Sequence, residues 1–325
     1  MTSGRLAAAR ALASPPFSRT AAGAMFALGS GTLIASLGTV SHLAYDAGLT
    51  PLSFATWRGG VAALFLGLVI LIRRAWLGGP AVAFGGLPRE QRFALLGATI
   101  ANLVLTLGLF TAYSRIPVAV AVLVFYTYPA LVAVVGSVTG RERMTASRAV
   151  AIGVALAGMV LVVAARLDVG AGLSLDLIGI GCAVGAAAGK TAYIWVSRAG
   201  YDRVPPEQAI LVILGGSGVG AALVALATGG GALLAGPLAH PAAWPTVILG
   251  ATVAGAIPMS FLIAGVRRLG GTRTAIAMLS EPTVSVGIAA IVLGESIVPL
   301  QLAGAALVLA GGIAVQRSAD PRDGP

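Results

Sequence analysis

The sequence predicts an all-α polytopic membrane protein: ten transmembrane helices arranged as two inverted five-helix repeats. Three observations predict it. Of the 325 residues, 58% are apolar and only 10% charged, and the mean hydropathy is +0.95. Apolar runs alternate with short basic clusters along the whole chain. The chain also matches itself when displaced by 153 residues. A soluble domain carries about 25% charged residues, so this chain has too few to cover a water-facing surface. That excludes a secreted domain, a cytoplasmic enzyme and a disordered chain.

Taken in order, the elements are a cytoplasmic N-terminal arm (1–21), a first five-helix repeat (22–166), a second (173–316) and a cytoplasmic tail (317–325). The apolar runs lie at about 22–44, 52–72, 93–112, 117–138, 149–165, 174–197, 207–228, 246–265, 274–293 and 298–316. Each reaches or approaches the length a helix needs to cross ~30 Å of hydrocarbon at ~1.5 Å per residue. Helices satisfy their own backbone groups at that depth, and the alternating segments of a barrel are absent. The arm holds Arg5, Arg10 and Arg19 and no acid. A transit peptide shares that composition, but the following run is too long for a signal h-region, so the arm reads as an uncleaved start.

The net charge of +10 does not call for nucleic acid. Of the 21 basic residues, 17 fall on one side of the alternating spans and only Arg115 and Arg166 on the other; Arg58 and Lys190 lie within spans. Cytoplasmic loops carry the excess of Lys and Arg, so both termini are expected in the cytoplasm. Cys182, the single cysteine, forms no intramolecular disulfide, and no Cys/His metal pattern exists. No cofactor is expected.

At the displacement of 153, Leu96-Gly97-Ala98-Thr99 falls on Leu249-Gly250-Ala251-Thr252, Pro129 on Pro282, Glu142 on Glu295, and Ala157-Gly158 on Ala310-Gly311. Pro and Glu are scarce here, so their coincidence carries weight. Spans 3, 4 and 5 thus correspond to spans 8, 9 and 10. A shift of five spans reverses direction through the membrane, the mark of an inverted repeat.

Tyr128-Pro129, Gly140-Arg141-Glu142-Arg143-Met144-Thr145 and Ala157-Gly158 resemble the end of an EamA-type repeat. Glu281-Pro282, Leu293-Gly294-Glu295, Pro299-Leu300-Gln301-Leu302 and Gly311 resemble its second copy, and Arg58 after Pro51 fits the arginine of the second span. The chain resembles the EamA type of the drug/metabolite transporter superfamily along nearly its whole length. The resemblance implies ten spans around a cavity opened alternately to each side. It also implies carriage of small metabolites, often outward, including amino acids in the threonine/homoserine exporter-like branch, toward which Tyr193 to Gly200 leans. One departure is Lys190, where the sixth span often carries Trp.

Charges inside spans are costly and need a reason. Lys190 lies eight residues before Arg198 and Glu281 eight after Arg273, so both sit about 12 Å above the same face. Equal depth permits a pair that couples or orients substrate; the alternative for Lys190 is snorkelling to headgroups. Glu281 precedes Pro282, which breaks the helix beside a carboxylate and makes either a binding element or a structural kink. Tyr128 holds the equivalent place before Pro129. Arg58 suits a substrate carboxylate or a structural link to a lipid phosphate or helix carbonyl. His42 and Asp46 share a helix face as a gate, a relay or an interfacial pair. Among neutral groups Asn102, Thr106, Tyr126 and Ser280 are candidates, and Asn102 must face protein or cavity. Gly181, Gly185 and Gly189 are expected to form one flat helix face, as are Gly216 and Gly220. Glu142 and Glu295 read as end anchors.

The function expected is a secondary transporter in the bacterial cytoplasmic membrane, moving a small metabolite by alternating access, as a monomer or homodimer. The partners are the lipid bilayer and the small-molecule substrate. Where transport is proton-coupled, Glu281 is the group expected to exchange the proton. A membrane-embedded enzyme is the alternative, but no His-Glu-x-x-His, Gly-x-Ser-x-Gly or Walker lysine is present. A channel needs a ring of equivalent pore-lining groups, and none is visible.

Overall fold

The computed structural model describes residues 19–77, 84–116, 118–142, 144–165, 176–229, 231–293 and 298–317. Arg5, Arg10, Arg143, Arg166, Glu295 and Arg322 lie outside them, as does the side chain of His42. Among the described residues all regular structure is helical. The helices are α1 (Arg19–Ile34), α2 (Ser36–Asp46), α3 (Pro51–Leu77), α4 (Arg89–Arg115), α5 (Val118–Phe125), α6 (Tyr128–Val138) and α7 (Ala146–Ala164). Then come α8 (Leu177–Ala199), α9 (Pro206–Gly229), α10 (Gly236–Ala239), α11 (Trp244–Ala251), α12 (Ile257–Leu269), α13 (Gly271–Ala277), α14 (Ser280–Leu293) and α15 (Pro299–Arg317). A five-residue π-turn, Thr252–Ala256, joins α11 to α12.

Among the described residues seven helical stretches are long and apolar enough to cross a membrane, and Ala146–Val162 and Pro299–Ala314 are shorter apolar helices. Their outward faces stay apolar: Leu64 is 76% exposed, Leu177 83% and Ile291 85%. A water-soluble helix turns its charged side outward. Here the outward side is hydrocarbon, and the bundle interior collects the polar groups Asn102, Lys190, Thr191, Ser217 and Ser280.

Packing is dominated by four pairs: α7 with α15, α4 with α8, α3 with α9, and α1 with α12. Small residues bring the backbones together, because between apolar helices in lipid close van der Waals approach supplies the association energy. A Cβ on Gly158 would lie 2.6 Å from the carbonyl oxygen of Gly304, and one on Gly304 would lie 2.5 Å from that of Gly158. Gly59 and Gly218 make the same backbone contact between α3 and α9.

At one end of the bundle Gln91 donates to Asp202 at 2.8 Å, and Arg73 pairs with Glu207. Arg267 donates to the carbonyls of Tyr201 and Val204 at 2.8 and 2.9 Å. Burial pushes the Tyr201 hydroxyl up to about 12. At the other end Arg115 bonds Asp176 at 2.8 Å, which with the amide of Ile178 at 2.9 Å holds that carboxylate below its ordinary range.

Candidate functional site

Two stretches are broken at mid-depth, each just before a proline. α5 stops at Phe125; Tyr126 and Thr127 form a turn, with the Thr127 hydroxyl donating to Val124 O at 2.7 Å. α6 then starts at Tyr128, and Pro129 has no N–H to give the preceding turn. α13 stops at Ala277; after the Met278–Leu279 turn, Ser280 opens α14 and its hydroxyl donates to Ala277 O at 2.8 Å. Pro282 does there what Pro129 does in α6. Breaks of this kind leave backbone carbonyls for side chains or ligands to satisfy.

The two breaks face α8. Glu281 occupies the first turn of α14, and the Tyr126 hydroxyl lies near its carboxylate. Lys190 of α8 is 4% exposed, with Nζ 5.8 Å from the centroid of the Tyr128 ring, a cation–π distance. The Lys190 ammonium and the Glu281 carboxylate lie within electrostatic reach of each other. They make no direct ion pair among the described residues. Tyr128 is fully buried; its hydroxyl has no hydrogen-bond partner and feels the charge of Glu281. Phe125, Tyr126 and Tyr128 stack with centroids 5.2 to 5.9 Å apart. Ser280 approaches α1, its Oγ 3.0 Å from where a Cβ on Gly31 would sit. Five of the residues singled out in the sequence, Glu281, Lys190, Tyr126, Tyr128 and Ser280, thus share one neighbourhood. An acid, an amine and two phenols packed in apolar surroundings can hold and pass a proton or orient a charged solute.

Arg58 and Asn102 form a separate cluster. They line a cleft between α3, α4 and α9 with Thr106, Gly59, Ser217 and Gly218; its space of about 10 Å³ is at the threshold for one water. Asn102 donates to Ser217 Oγ at 3.0 Å, and Ser217 donates to Thr99 O at 3.1 Å. The buried amide is therefore spent on tying α4 to α9.

Two expectations change. Gly181 and Gly185 face open space, and only Gly189 packs, its Cβ position 2.8 Å from Ala101 O. The contact face of α8 instead runs through Cys182 and Ala186, which meet Gly108. Residues four apart drift only about 40° around the helix, so it is the rotation of α8 against α4 that turns the first two glycines away from the contact. Gly216 and Gly220 do pack, against Thr99 and Leu103.

Glu142 does more than anchor a helix end. Its carboxylate accepts from Arg198 at 2.9 Å and from the backbone N–H groups of Gly271 at 2.9 Å and Thr272 at 3.3 Å. It thereby locks α8 to the start of α13. Trp195 adds a bond to Val132 O at 3.1 Å, and Arg141 and Arg198 approach its ring. The recurrence of Glu142 as Glu295 was the sequence signal for this position.

The profile of the EamA-like transporter family matches residues 21–164 and again residues 177–315. Among solved structures 27 chains match. One crystal structure, described only as that of a protein, has a TM-score of 0.74 at 17% identity, over 92% of this chain and 97% of that one. At that identity the likeness shows the fold. No curated protein matches.

Proposed function

The chain belongs to the EamA-like transporter family, and on that premise we propose that it is a secondary transporter, exporting an amino acid or similar small metabolite by alternating access. The family membership makes it an integral membrane protein of a class that moves small molecules. The carrier cycle, the direction and the coupling are our reading. The observation that carries it is the meeting of two broken helices around Glu281, Lys190, Tyr126 and Tyr128. In this reading Glu281 exchanges the coupling proton, and Lys190 sets its charge state, so that substrate and proton compete for one neighbourhood.

An inverted repeat of ten spans fits the packing. Counted with the seven long stretches, the two shorter apolar helices and the α13–α14 pair bring the crossings to ten. Gly158 packs on residues 304 and 308, and Gly311 packs on residues 151 and 155. Displacing either set by 153 produces the other. The same displacement turns the contact of Gly108 with Cys182 into that of Phe261 with Gly29, which the structure contains. Tyr128 and Glu281 are themselves partners under it. Related halves can exchange conformations, opening the site to each side in turn. Reporter fusions after Arg317 and within 229–241 should report opposite sides of the membrane; the same side for both refutes the topology.

The deciding assay is flux into proteoliposomes over a metabolite panel, with and without a pH gradient. A carrier gives saturable flux, a channel unsaturated fast flux, and an enzyme chemical conversion. Glu281→Gln should fold and insert yet lose pH-dependent transport. Full transport with unchanged pH dependence in that variant would make Glu281 structural.

A further inference from the structure

The other arginines whose hydrogen bonds are described each bond a carboxylate or a carbonyl within the protein, although the Nε of Arg267 is also buried without a partner. Arg73, Arg115 and Arg198 pair with Glu207, Asp176 and Glu142. Arg267 and Arg268 donate to backbone carbonyls. Arg58 differs. Among the described residues it makes no ion pair and no hydrogen bond, and its Nε is buried without a partner. Its electrostatic neighbour is the Tyr45 phenol, which is neutral at pH 7. Yet an Arg is always charged, and it stands seven residues into α3, inside an apolar bundle where an uncompensated cation is costly.

Its surroundings include a few polar groups. The side chain is only partly buried. It lines the cleft with Asn102 and Thr106. On its other flank runs the π-turn, where a Cβ on Gly255 would sit 3.8 Å from Nη1 and one on Gly250 3.5 Å from Cδ. The π-turn thus packs against the arginine side chain, and single π-turns recur at functional sites.

Resting on the transporter reading above, we propose that Arg58 is the anchor for the anionic end of the cargo, so that the substrates are small solutes bearing a carboxylate or phosphate. The fork of the guanidinium matches two oxygens of such a group, and Thr106 lines the same cleft. The cleft holds about one water in this conformation, so the anion reaches the fork in a state of the transport cycle in which the helices around the cleft have moved apart. This station is distinct from Glu281 and Lys190, which separates anion recognition from proton exchange.

The test uses the full chain in detergent and in phosphatidylcholine vesicles. The probes are the amino acids, their methyl esters and inorganic phosphate, read by thermal stabilisation and by counterflow. At least one acid or phosphate should stabilise the protein and show saturable flux, with its ester weaker by on the order of tenfold. Arg58→Gln should weaken the anion by a similar factor and leave the ester unchanged. Arg58→Lys, which keeps charge without the fork, should fall between, and it decides alone if the Gln variant does not fold: unchanged anion affinity overturns the site. Equal affinity of wild type for acid and ester also overturns it, while saturable flux in that result leaves the transporter reading intact. Anion stabilisation lost in Arg58→Gln, with no saturable flux for any probe, supports the anion site and refutes transport. Stabilisation by added phosphatidylglycerol alone, with no response to soluble anions, assigns Arg58 to a lipid headgroup and overturns the cargo proposal.

Discussion

Replacing Glu142 by Gln should loosen the junction of α8 with α13 without changing side-chain shape. The carboxylate is 10% exposed and serves three donors: Arg198 at 2.9 Å, and the amides of Gly271 at 2.9 Å and Thr272 at 3.3 Å. An amide of the same shape offers one oxygen and one NH2, so one edge must face a donor with a donor. Hydrogen bonds to charged groups are each worth about 1.5–3 kcal/mol, and loss of a helix cap costs about 1 kcal/mol. Arg198 remains stacked 5.5 Å from the Trp195 ring and 23% exposed, so its stranded charge keeps some solvation. Together these give a destabilisation of roughly 2–4 kcal/mol, well above the 0.2–1 kcal/mol of an exposed pair. The assay is a double-mutant cycle of Glu142→Gln and Arg198→Gln, with unfolding followed in detergent micelles. A coupling energy of about 1–2 kcal/mol is expected, with a residual cost of Glu142→Gln in the Arg198→Gln background from the lost cap. Coupling below about 0.3 kcal/mol, together with a single-variant cost below about 0.5 kcal/mol, would refute the reasoning.

Two further outcomes follow from the packing and the charges. Gly304→Ala places a Cβ 2.5 Å from Gly158 O and should cost about 1–3 kcal/mol. Gly312→Ala meets nothing within 4 Å and should be neutral or stabilise by about 0.5–1 kcal/mol. Equal thermal stability of the two variants would contradict the close α7–α15 contact. The Asp176 carboxylate is held below its ordinary value by Arg115, so its contribution is present above the unfolded value and lost as pH falls through the folded one. Hydrogen exchange at the Ile178 amide should therefore gain protection as pH rises through the acidic range, and Asp176→Asn should remove that dependence. A wild-type profile matching the variant's would show that the bond contributes no protection.

Much of the architecture was legible in the residues because the decisive energies are local. Burying a polar backbone in hydrocarbon forces each apolar run into a helix whatever its neighbours, so the runs at 93–112 and 207–228 reappear within Arg89–Arg115 and Pro206–Gly229. Pro129 and Pro282 break their helices through a missing N–H, a property of the residue itself. The scarcity of charge at depth marked Lys190, Glu281 and Arg58 as residues needing a reason. Equal depth along two helices left open a meeting of the lysine and the glutamate; in the structure they lie within electrostatic reach without a direct ion pair among the described residues.

Azimuth and partnership were decided by the tertiary structure. Depth is set by sequence distance from a helix end, but the direction a side chain faces depends on how whole helices rotate to pack. Hence the face of α8 runs through Cys182, Ala186 and Gly189 rather than through its three evenly spaced glycines. Hence also Asn102 is spent on Ser217, more than a hundred residues away in sequence, and Glu142 closes on Arg198 and Gly271 from two different helices. Arg58 looked much like Lys190 as a charge in a span. Only packing shows that one lies beside a carboxylate and an aromatic ring and the other has no anion among the described residues, because Coulombic partners act through space and sequence spacing carries that information only within one helix.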